Sequence, residues 1–188
     1  MACNSVTFAG INGQCDVNRG GIKKIFIANK SDVKSIVINS NNGNIETITM
    51  DTDKKFIAWN FRNATGSFTT SSTSDSSIGT VGGTATLSLQ FTRADSVKRA
   101  EIERAISAES LVIVETAYSN EDIENGPYCH YFLMGYDTYV TVDSPVMQTG
   151  TAVGDLNGFT LNLVENYYDL PHFIDTSKVT VSEIVDSL

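Results

Sequence analysis

Short apolar runs separated by turn residues dominate the first sixty positions of this chain. Residues 22–28 follow a Gly-Gly pair and are rich in β-branched side chains, which predicts a strand. Residues 36–39 predict a second strand, and the Asn42-Gly43 dipeptide after it favours a hairpin turn. Residues 45–50 alternate with a period of two, and residues 56–61, which contain the only tryptophan, predict a fourth strand.

Residues 62–92 have a different composition. Ser and Thr dominate residues 67–77, and Leu87, Leu89 and Phe91 then alternate with polar residues. We predict an extended two-stranded β arm with a glycine-rich tip. Because an isolated hairpin is marginal in water, the arm is expected to lie against another subunit, and deleting residues 66–86 is expected to leave a folded monomer that does not assemble. The candidate inter-subunit residues are Phe68, Thr70, Thr73, Gly79, Gly82 and Gly83.

Residues 94–108 carry the strongest helical pattern. Thr92 and Asp95 match a capping box with Thr92 as the N-cap. The apolar positions cover roughly half of the helix circumference, although Lys98 lies inside the apolar stripe. The pattern predicts one helix packed across a sheet.

Strand patterns return after the helix. Residues 111–114 predict a central strand, residues 128–136 are rich in aromatic side chains, and residues 138–142 alternate. A loop is expected over residues 143–158, followed by a strand at residues 159–164. Residues 170–188 form a C-terminal tail, either another strand or a short docked segment.

These elements predict a mainly β protein of the α+β class. The expected architecture is a β-sandwich or barrel of about eight strands with one packed helix. At 188 residues the chain is expected to form a single domain, residues 1–188.

The charge is distributed unevenly along the chain. Residues 1–94 carry nine Lys/Arg and six Asp/Glu, a net charge of +3, whereas residues 95–188 carry four and sixteen, a net charge of −12. This division suits a subunit with a basic face towards one neighbour and an acidic face towards another, or towards a lumen. It does not indicate a nucleic-acid-binding surface, which needs clustered Lys/Arg.

Composition excludes several other classes of protein. No apolar run approaches the ~20 residues of a membrane span, and no secretory signal pattern precedes residue 20, so we expect no membrane anchor. The three cysteines are an odd number without a CxxC pair, which disfavours a disulfide framework. The chain is expected to be made in the cytoplasm.

No sequence motif indicates catalysis. The chain has no Walker loop and no GxSxG elbow, and its two histidines, His130 and His172, lack a zinc-ligand pattern. The aromatic residues 128–139 lie in a segment, residues 105–177, without any Lys or Arg, so core packing is favoured over base stacking. We expect no enzyme activity, no metal and no cofactor.

The order of the elements resembles tail-tube-like and neck-ring virion proteins of phages that infect gut Bacteroidetes, including crAss-like phages. The resemblance rests on residues 20–29, the Ser/Thr-rich arm, the helix before a central strand, and the segments at 131–137 and 154–159. It covers about residues 10–175, and the family has no catalytic residues to transfer.

The resemblance implies a ring, a hexamer or dodecamer, whose inner sheet lines a channel for DNA. It implies a location in the tail or neck of the virion and a role in DNA retention and ejection. The implied partners are other copies of the chain, neighbouring tail or portal-side virion proteins, and double-stranded DNA that passes without sequence-specific binding.

An acidic channel wall would repel phosphates and keep the DNA mobile. We therefore expect some acidic side chains of the second half to face the lumen. The candidates are Glu115, Asp137, Asp143, Asp155, Glu165 and Asp169.

Two other functions are compatible with the sequence. One is a carbohydrate- or surface-binding β-sandwich module that uses exposed aromatic side chains, with Trp59, Tyr167 and Tyr168 as candidates. The other is a tube subunit of a phage-derived injection system.

Overall fold

The computed structural model describes residues 20–62, 65–75, 80–117 and 131–186. Two residues named above, Gly79 and His130, lie outside these ranges. Strands dominate the described residues and helices are few, so the prediction of a mainly β chain of the α+β class is confirmed.

The strands are β1 (Ile22–Asn29), β2 (Val33–Ile38), β3 (Ile45–Met50), β4 (Phe56–Trp59), β5 (Gly66–Asp75), β6 (Thr80–Thr92), β7 (Ser110–Thr116), β8 (Tyr131–Met134), β9 (Thr141–Gln148), β10 (Gly158–Tyr167), β11 (His172–Phe173) and β12 (Val185–Asp186). The helices are α1 (Ser96–Ile106), α2 (Val181–Ile184) and a short 3-10 helix (Lys30–Asp32).

Three sheets organise the chain. A six-stranded sheet has the order β11-β8-β7-β1-β4-β12, a four-stranded sheet has the order β5-β6-β10-β9, and β2 pairs with β3. In the six-stranded sheet, Val112 and Val114 pack with the four-stranded sheet and α1 in one core cluster. Leu111 and Ile113 pack in a second cluster with the β2-β3 hairpin. Because β7 is covered on both faces, its sequence is continuously apolar rather than alternating.

The predicted arm forms a hairpin, but most of it belongs to the four-stranded sheet. β5 pairs with β6 along its whole length, and β6 pairs with β10 from Gly83 to Thr92. Ala85 and Leu87 are fully buried, so this hairpin does have an apolar face within its own chain. Deleting residues 66–86 would remove Phe68 and Ala85 from the core, so we now expect the shortened chain to fold poorly.

Helix α1 begins later than its sequence pattern predicts. Its N-cap is Asp95, whose side chain accepts a hydrogen bond of 2.9 Å from the backbone N–H of Lys98. Thr92, the predicted N-cap, is the last residue of β6 and pairs with Gly158. The prediction fails because the sheet ladder extends to Thr92, and the chain turns at Arg93 with a positive φ of 65°.

The predicted loop at residues 143–158 is partly a strand. β9 continues to Gln148 as an edge strand of the four-stranded sheet. Its register shifts opposite residues 160–162, and Ser144 adopts a φ of 47° there. Pro145 lies just after the shift, and proline is tolerated in a strand at an edge or a bulge.

The C-terminal tail docks on the six-stranded sheet. Ile174, Val179 and Val185 are buried in the second core cluster. Val185 also pairs in parallel with Phe56 of β4. Both expectations for this segment, a strand and a docked segment, are thus met by different parts of it.

The two halves of the chain are interleaved. In the six-stranded sheet, β1 and β4 of the first half lie between strands of the second half. The Lys23 ammonium lies 2.8 Å from the Glu115 carboxylate on β7, and Lys178 pairs with Glu46. The expectation that the basic and acidic halves form separate faces is wrong, because strand pairing brings their charges together.

Candidate functional site

The candidate site is the face of the four-stranded sheet that points away from the core. Along β6 and β10 the buried residues alternate with partly exposed polar residues, because successive side chains of a strand point to opposite faces. We call the outward set the hydroxyl face, after its side chains. It comprises Ser67, Thr69 and Ser71 on β5, Thr84, Thr86, Ser88 and Gln90 on β6, Thr141, Asp143 and Val146 on β9, and Thr160, Asn162, Val164 and Asn166 on β10.

The hydroxyl face contains no cationic side chain. None of the strands β5, β6, β9 and β10 includes a Lys or Arg residue. Among the side chains named above, Asp143 is the only ionisable one. A surface of this kind offers hydrogen bonds to water but no fixed positive charge for a phosphate.

Hydrogen bonds between strands order the hydroxyl face. The Ser88 hydroxyl donates to the Asn162 side-chain oxygen at 2.8 Å, and the Thr84 hydroxyl donates to that of Asn166 at 3.3 Å. A shallow depression of about 370 Å³ lies between β5, β6 and β10. The surface is therefore a nearly neutral, hydrogen-bonded platform with one shallow recess.

Neither edge strand of this sheet pairs with a further strand within the described residues, although α1 packs close to β9. β5 pairs only with β6, and β9 pairs only with β10. All neighbours in the sheet are antiparallel, so β5 and β9 run in opposite directions. An open strand presents unpaired backbone N–H and C=O groups, which makes each edge a template for a further strand.

Two of the six predicted lumen acids are buried inside the chain. Glu115 is 5 % exposed and Glu165 is 3 % exposed. Glu115 lies between the ammonium groups of Lys23 and Lys24, at 2.8 and 3.7 Å. The prediction that these two carboxylates face a lumen is wrong, because both strands turn these positions towards the protein.

Glu165 occupies a polar cluster where the loop after β8 meets the start of the 3-10 helix. Burial raises the pKa of Glu165 from its ordinary value of 4.5 to about 7; backbone N–H groups of Gly135 and Asp137 oppose this rise, while the Asp137 charge adds to it. The Lys30 ammonium donates to the backbone carbonyls of Gly135, Tyr136 and Thr138 at 3.3, 3.2 and 2.9 Å. This cluster fastens the loop at residues 135–138 to both sheets.

The other four predicted acids have separate local environments. Asp137 accepts hydrogen bonds from the backbone N–H groups of Tyr168 and Asp169, at 2.8 and 3.0 Å. Asp155 accepts from the N–H groups of Thr151 and Ala152. Asp143 and Asp169 are exposed, and Asp143 alone lies on the hydroxyl face. The six residues therefore do not form one acidic surface.

The predicted arm residues also lie in different environments, some in the core and some on the surface. Phe68 packs in the first core cluster, with its ring centroid 4.5 Å from that of Phe132. Gly83 lies against Tyr167, whose hydroxyl is 2.9 Å from the Ser72 hydroxyl, so these two residues help to join β5 to the rest of the sheet. Thr70 and Thr73 are exposed, and Gly82 lies beside them near the end of the hairpin.

Several exposed apolar side chains gather at another corner of the molecule. Tyr168 is 73 % exposed, Leu170 60 % and Phe173 47 %. Tyr136 stacks edge-on against His172 with ring centroids 5.3 Å apart. Of the aromatic residues proposed for a carbohydrate-binding module, Tyr167 is buried, Trp59 is partly buried and Tyr168 is exposed.

The sequence patterns missed the hydroxyl face. The signal was present as Ser/Thr residues at every second position of β5 and β6, and as the lack of cations between Arg62 and Arg93. Without the pairing of β6 with β10, these residues have the composition of a polar loop. The pairing was not deducible because β6 and β10 are about 70 residues apart in the sequence.

The described residues contain no cluster of three or more His, Cys, Asp or Glu side chains that could hold a metal ion. No helix among them is long and apolar enough to cross a membrane. Comparison with protein-family models, curated proteins and solved structures finds no match.

Proposed function

We propose that this chain is a structural virion protein of a phage tail or neck. Copies associate side by side into a ring or tube, and double-stranded DNA passes through the bore. The observation that carries the proposal is a four-stranded sheet with two open edges and a face without cations. The likeness of the element order to tail-tube-like and neck-ring proteins supports the same function.

The open edges suit a closed assembly of identical subunits. If β9 of one copy pairs with β5 of the next, the sheet continues in antiparallel fashion from subunit to subunit. The contact joins two different patches, so it is heterologous and closes into a ring when the rotation between copies divides a full turn. Closure leaves no free edge, which removes the aggregation hazard of exposed strands.

The hydroxyl face suits the wall of a DNA channel. Each Lys or Arg that neutralises a phosphate adds affinity through counterion release, and this face supplies none. Hydroxyl and amide groups keep a bound water layer between the wall and the phosphates. Mobility of the DNA then results from the absence of cations, and the Asp143 carboxylate adds a repelling charge.

Electron microscopy of the purified full chain tests this function. Negative-stain images at increasing protein concentration should show rings or tubes of uniform diameter. Sedimentation over the same concentrations should show a discrete assembly. A chain that remains monomeric at every concentration would contradict the proposal.

Two lysines on the β5 edge are expected to prevent assembly. Thr70→Lys together with Thr73→Lys adds two charges to an exposed edge strand, which disfavours pairing with another strand. The assembled fraction in sedimentation should fall at least about tenfold, because edge pairing supplies the contact. The melting temperature should change little, since both threonines are exposed.

The matched control uses two exposed threonines of the separate β2-β3 hairpin. Thr47→Lys together with Thr49→Lys adds the same charge to a strand outside the four-stranded sheet. This control should assemble like the unmodified chain. Equal loss of assembly in both double variants would show that net charge, rather than the β5 edge, controls association.

The exposed corner around Tyr168 supports one alternative, a carbohydrate- or surface-binding module. Tyr168, Leu170 and Phe173 provide apolar surface beside the carboxylate of Asp169, which is suitable for stacking against a sugar ring. A monomeric chain that binds glycans, and loses this binding on Tyr168→Ala, would favour the alternative.

A further inference from the structure

The loop at residues 135–138 is held by two ionisable side chains of opposite sign. The Lys30 ammonium donates to three backbone carbonyls of this loop, at 2.9, 3.2 and 3.3 Å. The Glu165 carboxyl, which is 3 % exposed, accepts from the backbone N–H groups of Gly135 and Asp137. The loop therefore joins a cation that follows β1 to a carboxyl on β10.

The same loop lies tightly against β7 and β10. Gly135 adopts a φ of 94°, and a Cβ there would lie 2.8 Å from the Ser110 carbonyl oxygen on β7. The Thr138 hydroxyl donates to the Asn166 carbonyl on β10 at 2.7 Å. Because the loop is closed on both strands, we expect water to reach the Glu165 carboxyl chiefly when the loop moves away.

The surroundings of the Glu165 carboxyl favour its neutral form. Burial raises its pKa from 4.5 to about 7, and the nearby Asp137 charge adds to the rise, whereas Lys30 and the two N–H groups oppose it. Ala85, opposite on β6, and Val140, just before β9, are buried and uncharged. Near neutral pH, the closed loop therefore covers a group that becomes charged on losing one proton.

The loop also positions the exposed corner around Tyr168. Tyr136 of the loop stacks against His172, whose Nδ1 lies 2.8 Å from the Gly43 carbonyl oxygen. The Asp137 carboxylate of the loop accepts from the backbone N–H of Tyr168 at 2.8 Å. A movement of the loop therefore also rearranges the side chains of this corner.

We propose that Lys30, residues 135–138 and Glu165 form a proton-controlled latch. While the Glu165 carboxyl holds its proton, the loop stays closed and Tyr136 stays stacked on His172. Loss of the proton leaves a buried carboxylate that gains solvation when the loop opens, so opening is favoured as the pH rises through about 7. The latch lies within one subunit and does not depend on the proposed ring.

Amide hydrogen exchange of the full chain, followed by mass spectrometry of proteolytic fragments, tests the latch. The closed state binds the Glu165 proton more tightly than the open state, so the opening equilibrium should rise about tenfold between pH 6 and pH 8. After correction for intrinsic exchange rates, the protection of residues 135–138 should fall by the same factor. Amides of β7 should stay at least about tenfold more protected than the loop, because a local opening leaves this central strand paired.

Three variants separate the Glu165 proton from other causes of pH dependence. Glu165→Gln has no proton to lose in this range, so its loop should be equally protected at pH 6 and pH 8. Asp143→Asn, at an exposed carboxyl of the same sheet, should keep the tenfold change. His172→Asn should also keep it, which distinguishes Glu165 from the histidine at this loop, a residue type that ordinarily titrates near neutral pH.

Lys30→Met tests the cationic half of the latch. It removes three hydrogen bonds to the loop, so residues 135–138 should lose at least about tenfold in protection at pH 6. Lys34→Met, at an exposed lysine of β2, is the matched control and should keep full protection.

Four results would each overturn the latch. The first is equal loop protection at pH 6 and pH 8 in the unmodified chain. The second is an unchanged pH dependence in Glu165→Gln, and the third is loop protection as high as that of β7, which would mean that the loop opens only by global unfolding. The fourth is equal loop protection in Lys30→Met and Lys34→Met.

Discussion

Glu165→Gln is expected to raise the melting temperature by about 5–10 °C at pH 8 and to change it little at pH 5. The carboxyl is 3 % exposed, and its pKa is raised from 4.5 to about 7 because burial disfavours the charged form. The folded state therefore holds this proton more tightly than the unfolded state. The stability of the unmodified chain falls as the pH rises from about 4.5 to 7, and the loss is complete above that range.

The size of this effect follows from the pKa change. One pKa unit corresponds to about 1.4 kcal/mol, so a rise from 4.5 to about 7 amounts to roughly 3 kcal/mol at pH 8. Glutamine carries no charge at either pH and still offers an oxygen to the N–H groups of Gly135 and Asp137. Thermal unfolding followed by circular dichroism at both pH values measures the difference.

The control for this experiment is a carboxyl of the same sheet that is exposed. Asp143→Asn on β9 changes the formal charge by the same amount without removing a buried group. Its effect on the melting temperature should be small at both pH values. If Glu165→Gln also has the same small effect at pH 5 and pH 8, burial of Glu165 does not penalise its charge.

Gly158→Ala is expected to lower the free energy of unfolding by roughly 3 kcal/mol. The added methyl group would overlap backbone atoms of a neighbouring strand that cannot move away. A Cβ at this position would overlap the carbonyl oxygen of Phe91 and lie 3.0 Å from its carbonyl carbon. Gly158 pairs with Thr92 on one side and Gln148 on the other, so neither neighbouring strand is free to move. The melting temperature should fall by about 5–10 °C.

Gly154 provides the matched control four residues earlier. A Cβ there meets no atom within 4 Å, and its φ is not in the left-handed region. Gly154→Ala should change the free energy of unfolding by less than about 0.5 kcal/mol. It could also raise it slightly, because alanine gives the unfolded chain less conformational freedom than glycine. Similar melting temperatures for the two alanine variants would contradict the close approach of β6 at Gly158.

Local patterns were sufficient to predict the individual strands. The runs that became β1, β3, β7 and β10 are apolar or alternating over four or more residues, and each is a strand in the structure. The boundaries failed where pairing overrides local preference. Thr92 has an N-cap residue type but is held by Gly158, and β9 extends through a proline because it lies at an edge.

The candidate site was less predictable because it depends on sheet topology. The charge distribution along the chain suggested an acidic wall, yet Glu115 and Glu165 point into the protein. The strand register decides which face these side chains occupy, and the sequence pattern does not specify that register. The hydroxyl face needs two chain segments about 70 residues apart to become neighbours.

The interleaving of the two halves has a consequence for how the chain folds. The centre of the six-stranded sheet joins β1 to β7, and the four-stranded sheet joins β6 to β10, so neither of these two larger sheets is complete within one half of the sequence. Loops of many tens of residues must close before these ladders form, which makes folding slow and non-local. We therefore expect the chain to fold as one cooperative unit, in which the edge strands β5 and β9 take their final form only after that late closure.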